Sequence, residues 1–260
     1  MNEAYPVEHT QFGDLAPHYD ELMDSVPYEF WAEYVTTLFH FASHQPHKLL
    51  DCACGTGNLS FELAKQGLEV VGVDLSDLMI AEAKAKSAGV HFDLKARFAR
   101  ADLADFDLTE SFDSATCLYD SLNYILDADK LQSAFGQIAD HLCEGGVFVF
   151  DLNAVFAFEA NLFSQSNRNP RKLLHYDWKA TFDHESRICT VAMQFKRILR
   201  DGSVQIFHET HRERAYERED IEVMLEATGW DLLHTFDAYT MNRPHDRSER
   251  WFFVARKRAN

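Results

Sequence analysis

Two aspartates and two glycines near position 50 have the types and spacing needed to bind a nucleoside. Residues 48–58 read KLLDCACGTGN, and a second apolar stretch that ends in Asp74 follows a helix-like segment. Gly55 and Gly57 can adopt a positive φ and leave room for a ligand beside the backbone. Asp74 lies 17 residues beyond Gly57, where a carboxylate can accept hydrogen bonds from both hydroxyls of a ribose. These residues predict an adenosine-containing ligand.

The elements that must position these residues are an apolar strand, a glycine turn, a helix and a second apolar strand. Together they form half of a βαβ nucleotide-binding unit. A third strand is predicted over Arg97–Leu103. Because ligands of open α/β sheets bind outside the carboxyl ends of the strands, three successive strands should deliver Asp51, Asp74 and Asp102 to one binding edge.

The same glycines overlap the fingerprint of dinucleotide-binding proteins, so a nucleotide oxidoreductase is an alternative. That fingerprint needs a third glycine where this chain has Ser60, and it needs a helix N-terminus that holds a pyrophosphate. Asp51 precedes the turn, where an acid repels phosphate but can orient the turn and accept a hydrogen bond from a ligand ammonium. The pattern therefore favours a ligand without a pyrophosphate.

The segment Leu50–Gly57, LDCACGTG, closely resembles motif I of class I S-adenosylmethionine-dependent methyltransferases. The resemblance implies S-adenosylmethionine as the cofactor and S-adenosylhomocysteine as its product. It also implies that Asp102 accepts a hydrogen bond from the adenine amine and that Leu118 offers its carbonyl to the cofactor's ammonium. With the residues above, the predicted cofactor-binding set is Tyr19, Asp51, Ala53, Gly55, Gly57, Asp74, Leu75, Met79, Asp102, Leu103 and Leu118.

The predicted fold is α/β, with a doubly wound, seven-stranded Rossmann-like sheet and an inserted antiparallel β-sheet lid. The resemblance implies that the last strand of the main sheet is antiparallel. The predicted domains are an N-terminal helical cap over 1–45, a core over 46–153 and 215–260, and the inserted lid over 154–214. Within the lid, two strands are predicted to join through Asp201–Gly202, a dipeptide that favours a type I′ hairpin.

The N-terminal segment supplies candidates for the mouth of the site. Residues 16–20, APHYD, resemble the A-x-x-Y-D entrance helix of the family, in which the tyrosine closes over the methionine end of the cofactor. This resemblance implies that Tyr19 is a catalytic candidate near the transferred methyl group. Tyr28 and Trp31 are candidates for binding the substrate at the same mouth. A packing role in the core is the alternative for all three.

Two further candidates follow the predicted fourth strand. The segment YDSLNYI at 119–125 resembles the D-S-L-N-Y segment of methyltransferases that act on small molecules. The resemblance places Asp120 and Asn123 where a small acceptor would sit, with Asp120 as a catalytic candidate and Asn123 as a substrate-binding one. The alternative for Asp120 is a cap on the following turn.

Alternation along the predicted strand 203–214 supplies the last candidates. If Arg200 pairs with Ser203 across the hairpin, Glu209 and His211 lie on one face. They could then reach one acceptor, with His211 as a general base and Glu209 as its orienting partner, which makes Glu209 a substrate-binding candidate. Solvated charges on a surface strand are the alternative.

Composition argues against several classes of protein. The 260 residues carry a net charge of −17, and such a surface repels the phosphates of DNA, tRNA and rRNA. No run of about 18 apolar residues suits a membrane span, and the first residues lack the features of a signal peptide, which predicts a cytoplasmic protein without membrane contacts. Five cysteines without a C-x-x-C pattern favour reduced thiols, with no disulfide and no metal site.

The predicted function is methyl transfer from S-adenosylmethionine to a small molecule, by a monomer or homodimer. An amine acceptor is favoured because Tyr19, Asp120 and His211 suit the removal of a proton from an amine, and because of similarity to amino-sugar and glycine-type N-methyltransferases. An O-methyltransferase acting on a phenol or carboxylate would share every cofactor residue. A cofactor-binding protein without transferase activity is a further alternative.

Overall fold

The structure is a computed structural model that describes residues 11–89 and 94–259. Its strands are β1 (Lys48–Cys52), β2 (Glu69–Asp74), β3 (Ala96–Arg100), β4 (Phe112–Cys117), β5 (Leu142–Asn153), β6 (Ser166–Asn167), β7 (Leu174–Asp183), β8 (Ile188–Ile198), β9 (Val204–Arg214), β10 (Trp230–Asp237) and β11 (Arg250–Lys257). Its α-helices are α1 (Tyr19–Leu22), α2 (Tyr28–Phe41), α3 (Asn58–Lys65), α4 (Asp77–Gly89), α5 (Ala128–His141), α6 (Val155–Glu159) and α7 (Arg218–Ala227).

Seven strands form the central sheet, in the order β10-β11-β5-β4-β1-β2-β3. Neighbouring strands are parallel except at β11, which runs antiparallel to both β5 and β10. This topology confirms the predicted doubly wound sheet with an antiparallel last strand. Since the strand order reverses at β1, the loop after β1 lies at the crevice where open α/β sheets bind their ligands.

Helices cover both faces of the central sheet, as its near-continuous apolar strands require. On one face, Leu38 of α2 and Leu63 of α3 belong to a buried cluster. On the other face, Phe135 of α5 and Leu225 of α7 belong to a second buried cluster. The carboxyl edge of the strands is therefore the part of the sheet left for a ligand.

The glycine pair predicted as a turn before the fifth strand lies inside β5. The register moves from the pair Phe112–Leu142 to the pair Ser114–Val147, so residues 143–146 bulge out of the ladder. Gly145 has φ +75°, which a residue with a side chain adopts less readily. The turn is present as a bulge, and the strand begins earlier than the sequence indicates.

A second sheet lies between β5 and α7 in the chain and has the order β6-β7-β8-β9, with all neighbours antiparallel. Its three long strands correspond to the strands predicted over 173–183, 187–200 and 203–214. The two-residue strand β6 has no signal in the sequence. This separate sheet confirms the predicted antiparallel insertion, while the exact domain boundaries stay a prediction.

The hairpin between β8 and β9 differs from the predicted two-residue turn, because Leu199 rather than Arg200 pairs with Ser203. The N–H of Leu199 donates to the Ser203 carbonyl, and the N–H of Gly202 donates to the Leu199 carbonyl, at 2.9 Å each. Gly202 has φ +82°, so the loop is a three-residue turn that ends in a left-handed glycine. The alternation within β9 depends on that strand alone and is unaffected.

Alternate residues of β9 face the interior, as the sequence predicts. Phe207, Glu209, His211 and Glu213 are buried, whereas the residues between them are exposed. Three of these four side chains are ionisable, although ionisable groups are rarely buried without a specific partner. We call the side of the sheet that carries these four side chains its inner face, and we call residues 11–23 the N-terminal segment. The two pack together through a cluster that includes Leu15 and Phe207.

Three observations bear on the excluded classes of protein. Within residues 11–89 and 94–259, no helix combines the length and apolar character needed to cross a membrane. The same residues contain no group of three or more His, Cys, Asp or Glu side chains arranged to hold a metal ion. All five cysteines are free thiols.

Candidate active site

A cavity of about 1120 Å³ lies at the carboxyl edge of the central sheet, closed by the N-terminal segment and by the inner face of the second sheet. Its volume is slightly above the range of about 300–1,000 Å³ that is usual for sites that bind small molecules. We call the part lined by Asp51, Gly55, Asp74 and Asp102 the sheet-edge half. We call the part lined by Asp120, Tyr124, His211 and Glu213 the inner half.

The two glycines of the turn after β1 have different roles. Gly55 has φ +56° and lines the cavity, and a Cβ added there would meet open space. Gly57 has φ +80°, and a Cβ there would lie 2.7 Å from the ring of Phe98. The structure thus gives Gly57 a packing role against β3, and Gly57 is not among the residues that line the cavity, while its predicted contact with the cofactor stays a prediction.

Asp51 fixes the start of this turn from the centre of the sheet. It is only 2% exposed. Its carboxylate accepts one hydrogen bond from the Ser60 hydroxyl and another, at 2.8 Å, from the Thr116 hydroxyl. Burial raises the pKa of Asp51 to about 6, against the two hydroxyl donors, which lower it. Asp51 also lines the cavity, so its carboxylate combines a structural role with access to a ligand.

Asp74, at the end of β2, bridges the glycine turn and the start of α4. Its carboxylate accepts hydrogen bonds from the N–H of Gly55 at 2.9 Å and from the N–H of Ser76 at 2.8 Å. Burial raises the pKa of Asp74 despite these donors. The Ser76 hydroxyl in turn accepts from the N–H of Met79 at 3.3 Å, which confirms the predicted cap on α4.

Asp102 follows the end of β3 by two residues, because the strand ends earlier than the predicted range 97–103, and it is exposed within the cavity. Leu75 is 57% exposed beside it, although it is a large apolar residue. Ten predicted cofactor-binding residues line this one cavity, namely Tyr19, Asp51, Ala53, Gly55, Asp74, Leu75, Met79, Asp102, Leu103 and Leu118. The structure therefore brings together nearly the whole predicted set.

Asp20 ties the N-terminal segment to the glycine turn. Its carboxylate accepts hydrogen bonds from the Thr56 hydroxyl at 2.6 Å and the Asn58 amide at 3.0 Å, and it pairs with the Lys86 ammonium at 2.8 Å. Burial opposes ionisation, but Lys86 and the Thr56 hydroxyl outweigh it and lower the pKa of Asp20. This anchor holds the adjacent Tyr19 at the cavity, where burial raises the tyrosine's pKa well above its ordinary value.

Aromatic rings form the wall next to this anchor. Trp31 stacks on Tyr239 with ring centroids 5.4 Å apart, and its ring lies 5.2 Å from that of Tyr119 and 5.5 Å from that of Tyr28. Tyr28 and Trp31 both line the cavity, as predicted, and Trp31 is also packed into the buried cluster under α2. The packing and lining interpretations of Trp31 are thus compatible.

The loop after β4 has two consecutive residues in the left-handed region, Tyr119 at φ +64° and Asp120 at φ +54°. Such conformations are costly for residues with side chains and persist where the surroundings enforce them. Here the Asp151 carboxylate accepts from both N–H groups, at 3.1 and 2.8 Å. Arg250 then donates to Asp151 and to Asp120, at 2.7 Å each. Burial, partly offset by Arg250, raises the pKa of Asp120 to about 6.

His211 occupies the inner half between two partners. Its Nε2 lies 2.6 Å from Glu209 Oε2, and its Nδ1 lies 3.0 Å from the Tyr124 hydroxyl. Glu209 also accepts hydrogen bonds from the N–H of Phe12 at 3.0 Å and of Leu15 at 2.8 Å. The predicted Glu209–His211 pair is therefore present, and it is connected to the N-terminal segment.

Glu213 is the next inward-facing residue of β9 and lines the cavity while only 3% exposed. One carboxylate oxygen accepts from the Asn153 amide at 3.0 Å. Burial and then the nearby Asp120 raise the pKa of Glu213 well above its ordinary value. Two buried acids thus share the inner half, where a cationic ligand would stabilise their ionised forms.

Comparison with known proteins identifies the family. Residues 49–146 match a family model described as a methyltransferase domain. The chain is 30% identical over 256 residues to a protein of Geobacillus sp. (strain WCH70) classed by name as a methyltransferase, covering 95% of this chain and 99% of that one. A crystal structure of an S-adenosylmethionine-dependent methyltransferase from Clostridium acetobutylicum ATCC 824 superposes with a TM-score of 0.81 at 31% identity, covering 96% and 100% of the two chains. The chain belongs to the S-adenosylmethionine-dependent methyltransferases.

The cofactor of this methyltransferase is accordingly S-adenosylmethionine. A more distant relative is the dTDP-4-amino-2,3,4,6-tetradeoxy-D-glucose N,N-dimethyltransferase of Saccharopolyspora spinosa, 35% identical over 109 residues. That match covers 41% of each chain.

Two residues predicted to bind the substrate, Asn123 and Glu209, are engaged by protein groups, and their substrate contacts stay a prediction. Asn123 is fully buried, and its side chain bonds to the backbone of Asn153 and Arg214 at 2.9 Å each. Its amide therefore fastens the end of β5 to the end of β9. The Glu209 carboxylate is hydrogen-bonded to His211 and to the backbone of the N-terminal segment. Neither residue is among those that line the cavity.

Tyr124, Glu213 and Arg250 line the cavity but are not among the residues predicted from the sequence. The signal for Glu213 is the alternation of β9, which puts it on the same face as His211. Tyr124 directly follows Asn123 in the segment that resembles small-molecule methyltransferases. The resemblance therefore indicates the correct segment, but the residue of that segment that lines the cavity is Tyr124 and not Asn123. Arg250 lies 130 positions from Asp120 and carries no local signal.

Proposed function

We propose that this methyltransferase transfers the methyl group of S-adenosylmethionine to an amine nitrogen of a small molecule. The observation that carries the proposal is the pair of buried acids that line the inner half, Asp120 and Glu213. Arg250 pairs with Asp120 and with Asp151, whereas Glu213 forms no ion pair with any of the described residues, so the two acids together can still accept a cationic ligand. An alkyl ammonium group has this chemistry. A carboxylate would fit it less well because it would repel both acids, and a neutral phenol would supply a hydrogen-bond donor but no positive charge.

The sheet-edge half fits the adenosyl part of the cofactor. The open space beside Gly55 allows a ligand to approach the backbone, and the exposed Leu75 offers apolar surface for a flat base. In the proposed arrangement Asp74 accepts from the ribose hydroxyls and Asp102 accepts from the adenine amine. Leu103 and Met79 pack beside the base.

The amino-acid end of the cofactor would lie against β1 and β4. Asp51 presents a carboxylate to the cavity, and the Leu118 carbonyl, which already accepts from the Ser121 hydroxyl at 2.9 Å, has a second lone pair. Both groups can accept hydrogen bonds from an ammonium. Ala53 lines the cavity between them and is small enough to leave this end open.

When bound, the cofactor supplies a methyl group on a positively charged sulfur, an electrophile that needs no activation by the protein. The chain therefore has to position the acceptor nitrogen, exclude water and accept a proton. In the proposed arrangement Tyr19, Tyr28 and Trp31 close the mouth of the cavity. Asp120 and Glu213 attract the ammonium form of the acceptor, and His211 belongs to the route by which its proton leaves.

The relative from Saccharopolyspora spinosa supports an amine acceptor, since its name describes N,N-dimethylation of an amino sugar. The match spans 109 residues, too few to include both the glycine turn at Gly55 and the acid at Glu213. It therefore supports the class of reaction and not a particular sugar.

A screen for release of S-adenosylhomocysteine tests the proposal. The enzyme is incubated with S-adenosylmethionine and panels of amino sugars, amino acids, simple amines, phenols and carboxylic acids, with the Asp74→Ala variant as the background control. Turnover confined to amines is the expected result. Turnover confined to phenols or carboxylates would replace the proposal with an O-methyltransferase.

Binding measurements separate the remaining alternatives. Calorimetry should show that S-adenosylhomocysteine binds and that NAD does not, whereas binding of NAD alone would indicate an oxidoreductase. Tight binding of S-adenosylhomocysteine without turnover on any panel would indicate a protein that binds the cofactor without using it.

We further propose that the enzyme acts as a monomer or homodimer on free small molecules. The net charge of −17 disfavours a substrate attached to RNA or DNA. Light scattering coupled to size exclusion measures the oligomeric state, and addition of tRNA should leave the rate of methyl transfer unchanged.

A further inference from the structure

Both ring nitrogens of His211 are occupied by protein groups. The Nε2 atom is bonded to Glu209 at 2.6 Å, the Nδ1 atom to the Tyr124 hydroxyl at 3.0 Å, and the residue is 1% exposed. An imidazole in this position has no free nitrogen with which to take a proton directly from a ligand. Tyr124 lines the same cavity, so a proton can reach His211 through the tyrosine hydroxyl.

The partners also determine which nitrogen of His211 carries the hydrogen. Both oxygens of Glu209 already accept backbone N–H groups, from Phe12 and Leu15, so Glu209 is the acceptor and the ring hydrogen of His211 is placed on Nε2, facing it. The Nδ1 atom is then an acceptor, and the Tyr124 hydroxyl donates to it. With its own hydrogen directed at His211, the Tyr124 oxygen can accept a hydrogen bond from a ligand in the cavity.

The surrounding residues hold this chain of hydrogen bonds in place. Phe12 packs edge-on against the His211 ring at 4.6 Å and lies 5.4 Å from the ring of Tyr124. The backbone N–H groups of Phe12 and Leu15 both donate to Glu209, which fixes its carboxylate from the N-terminal segment. The three side chains therefore have one defined geometry.

We propose that Tyr124, His211 and Glu209 form a proton relay, in which Tyr124 is the catalytic residue that contacts the acceptor and the other two are positioning residues. This proposal rests on the proposed amine methylation, which it deepens by naming the atom that accepts the proton.

The proton transfers of the relay conserve atoms and charge. An acceptor that binds as an ammonium donates one N–H proton to the Tyr124 oxygen while the Tyr124 hydroxyl passes its own proton to Nδ1 of His211. The result is a neutral amine, an unchanged tyrosine and an imidazolium paired with the Glu209 carboxylate. With the cofactor bound, the amine lone pair would form the new C–N bond as the C–S bond breaks; that electron pair would stay on sulfur, and the methylated acceptor would carry the positive charge as an ammonium. The imidazolium returns its proton to water through Tyr124 when the site opens.

Tyr124 serves in this relay as a conduit and not as a stored base. Burial, followed by the nearby Glu213 and Asp120, raises the pKa of Tyr124 well above its ordinary value, and Tyr19 and Tyr119 add to the effect. The tyrosine therefore stays protonated and must release one proton as it accepts another. The groups that face it come from β9, the loop after β4 and the N-terminal segment.

Nitrogen-15 NMR of the free enzyme, labelled on histidine, tests the relay without any acceptor. The His211 signals are assigned by their loss in His211→Gln. We expect Nε2 to carry the hydrogen, and we expect the Nδ1 shift to move in Tyr124→Phe. A hydrogen on Nδ1 in the wild type, or an unchanged Nδ1 shift in the variant, would overturn the relay.

Kinetics with an amine identified by the screen provide the second test. We expect kcat of Tyr124→Phe to fall about 100-fold, the lower end of what a positioned proton acceptor contributes, with an unchanged KM for S-adenosylmethionine. The matched control is Tyr34→Phe, which removes a hydroxyl that donates to the Thr240 carbonyl at 2.7 Å, away from the cavity. Equal kcat values for the two variants would overturn the relay, while the amine proposal would stand.

Discussion

The carboxylate of Asp20 accepts a hydrogen bond from the Thr56 hydroxyl over 2.6 Å, and this contact joins the N-terminal segment to the glycine turn of the central sheet. The two residues are 36 positions apart in the chain. Tyr19 is held at the cavity by the same anchor, so the position of the mouth and the conformation of the turn depend on each other.

Replacing Asp20 by Ala should therefore weaken cofactor binding although Asp20 itself is outside the cavity lining. Hydrogen bonds to a charged group contribute about 1.5–3 kcal/mol, so we expect the Kd for S-adenosylhomocysteine to rise roughly tenfold to 100-fold. Isothermal titration calorimetry measures the change. The control is Glu29→Ala, which removes an exposed carboxylate from the first turn of α2 and should leave the Kd unchanged. Equal affinities in both variants would show that the anchor does not support the site.

Alanine at Gly55 and at Gly57 should separate binding from stability. Gly57→Ala places a Cβ 2.7 Å from the Phe98 ring in a left-handed conformation, and we expect it to lower the free energy of unfolding by about 2–4 kcal/mol. Gly55→Ala meets open space, so its stability cost is the conformational term alone, about 1–2 kcal/mol. Its larger effect should be on cofactor affinity.

Urea unfolding and calorimetry on both variants check this contrast. Shortening the clashing ring in the double variant Gly57→Ala with Phe98→Leu should recover part of the lost stability. If Gly57→Ala instead retains wild-type stability and loses only cofactor affinity, the packing role assigned to Gly57 is wrong.

Asp51→Asn should change stability in a pH-dependent way. Burial raises the folded-state pKa of Asp51 to about 6, above the unfolded value of about 4, so the folded state holds the proton more tightly. The stability that this proton provides is complete below pH 4 and is lost as the pH rises through 6. Asparagine resembles the protonated acid, so we expect the variant to gain roughly 2–3 kcal/mol relative to wild type between pH 4 and pH 7.

Thermal or urea unfolding of both proteins at pH 4.5 and pH 7 measures this difference. The variant should also bind S-adenosylhomocysteine more weakly at pH 7, because it lacks the negative charge proposed to meet the cofactor's ammonium. A stability difference that shrinks with rising pH would contradict the assignment of a raised pKa to Asp51.

Arg250→Met should destabilise the loop after β4. It leaves Asp120 and Asp151 buried without their shared cation, and removal of one partner from a buried ion pair costs about 3–5 kcal/mol. Without the guanidinium the pKa of Asp120 should rise above its present value of about 6, so the loss of stability should be larger at pH 7.5 than at pH 5.

Urea unfolding at the two pH values tests this expectation against Arg258→Met. Arg258 pairs with Asp231 at 2.7 Å on the surface, where an ion pair contributes less than about 1 kcal/mol. Similar losses of unfolding free energy in both variants would show that the buried ion pairs of Arg250 contribute no more to stability than a surface ion pair.

The sheet-edge half could be predicted from the sequence because local rules determine it. Parallel strands end at one edge, so spacing alone places Asp51, Asp74 and Asp102 together. The difference between Gly55 and Gly57 could not be predicted, because it depends on the ring of Phe98, which reaches the turn from a neighbouring strand.

The inner half was predicted less well because its geometry depends on distant parts of the chain. Two left-handed residues, Tyr119 and Asp120, rotate the following turn so that Tyr124 faces the cavity while Asn123 faces the backbone of β5 and β9. That conformation is enforced by Asp151 and Arg250, whose side chains come from two other strands. A local sequence pattern contains no information about such a clamp.

The two amides that hold Glu209, those of Phe12 and Leu15, come from nearly 200 positions earlier in the chain. A chimaera that exchanges only β6–β9 between two relatives would pair a foreign β9 with the N-terminal segment of the host. We therefore expect the preference for an acceptor to be transferred only when residues 11–23 are exchanged together with the second sheet. Two separate parts of the chain would then determine specificity jointly.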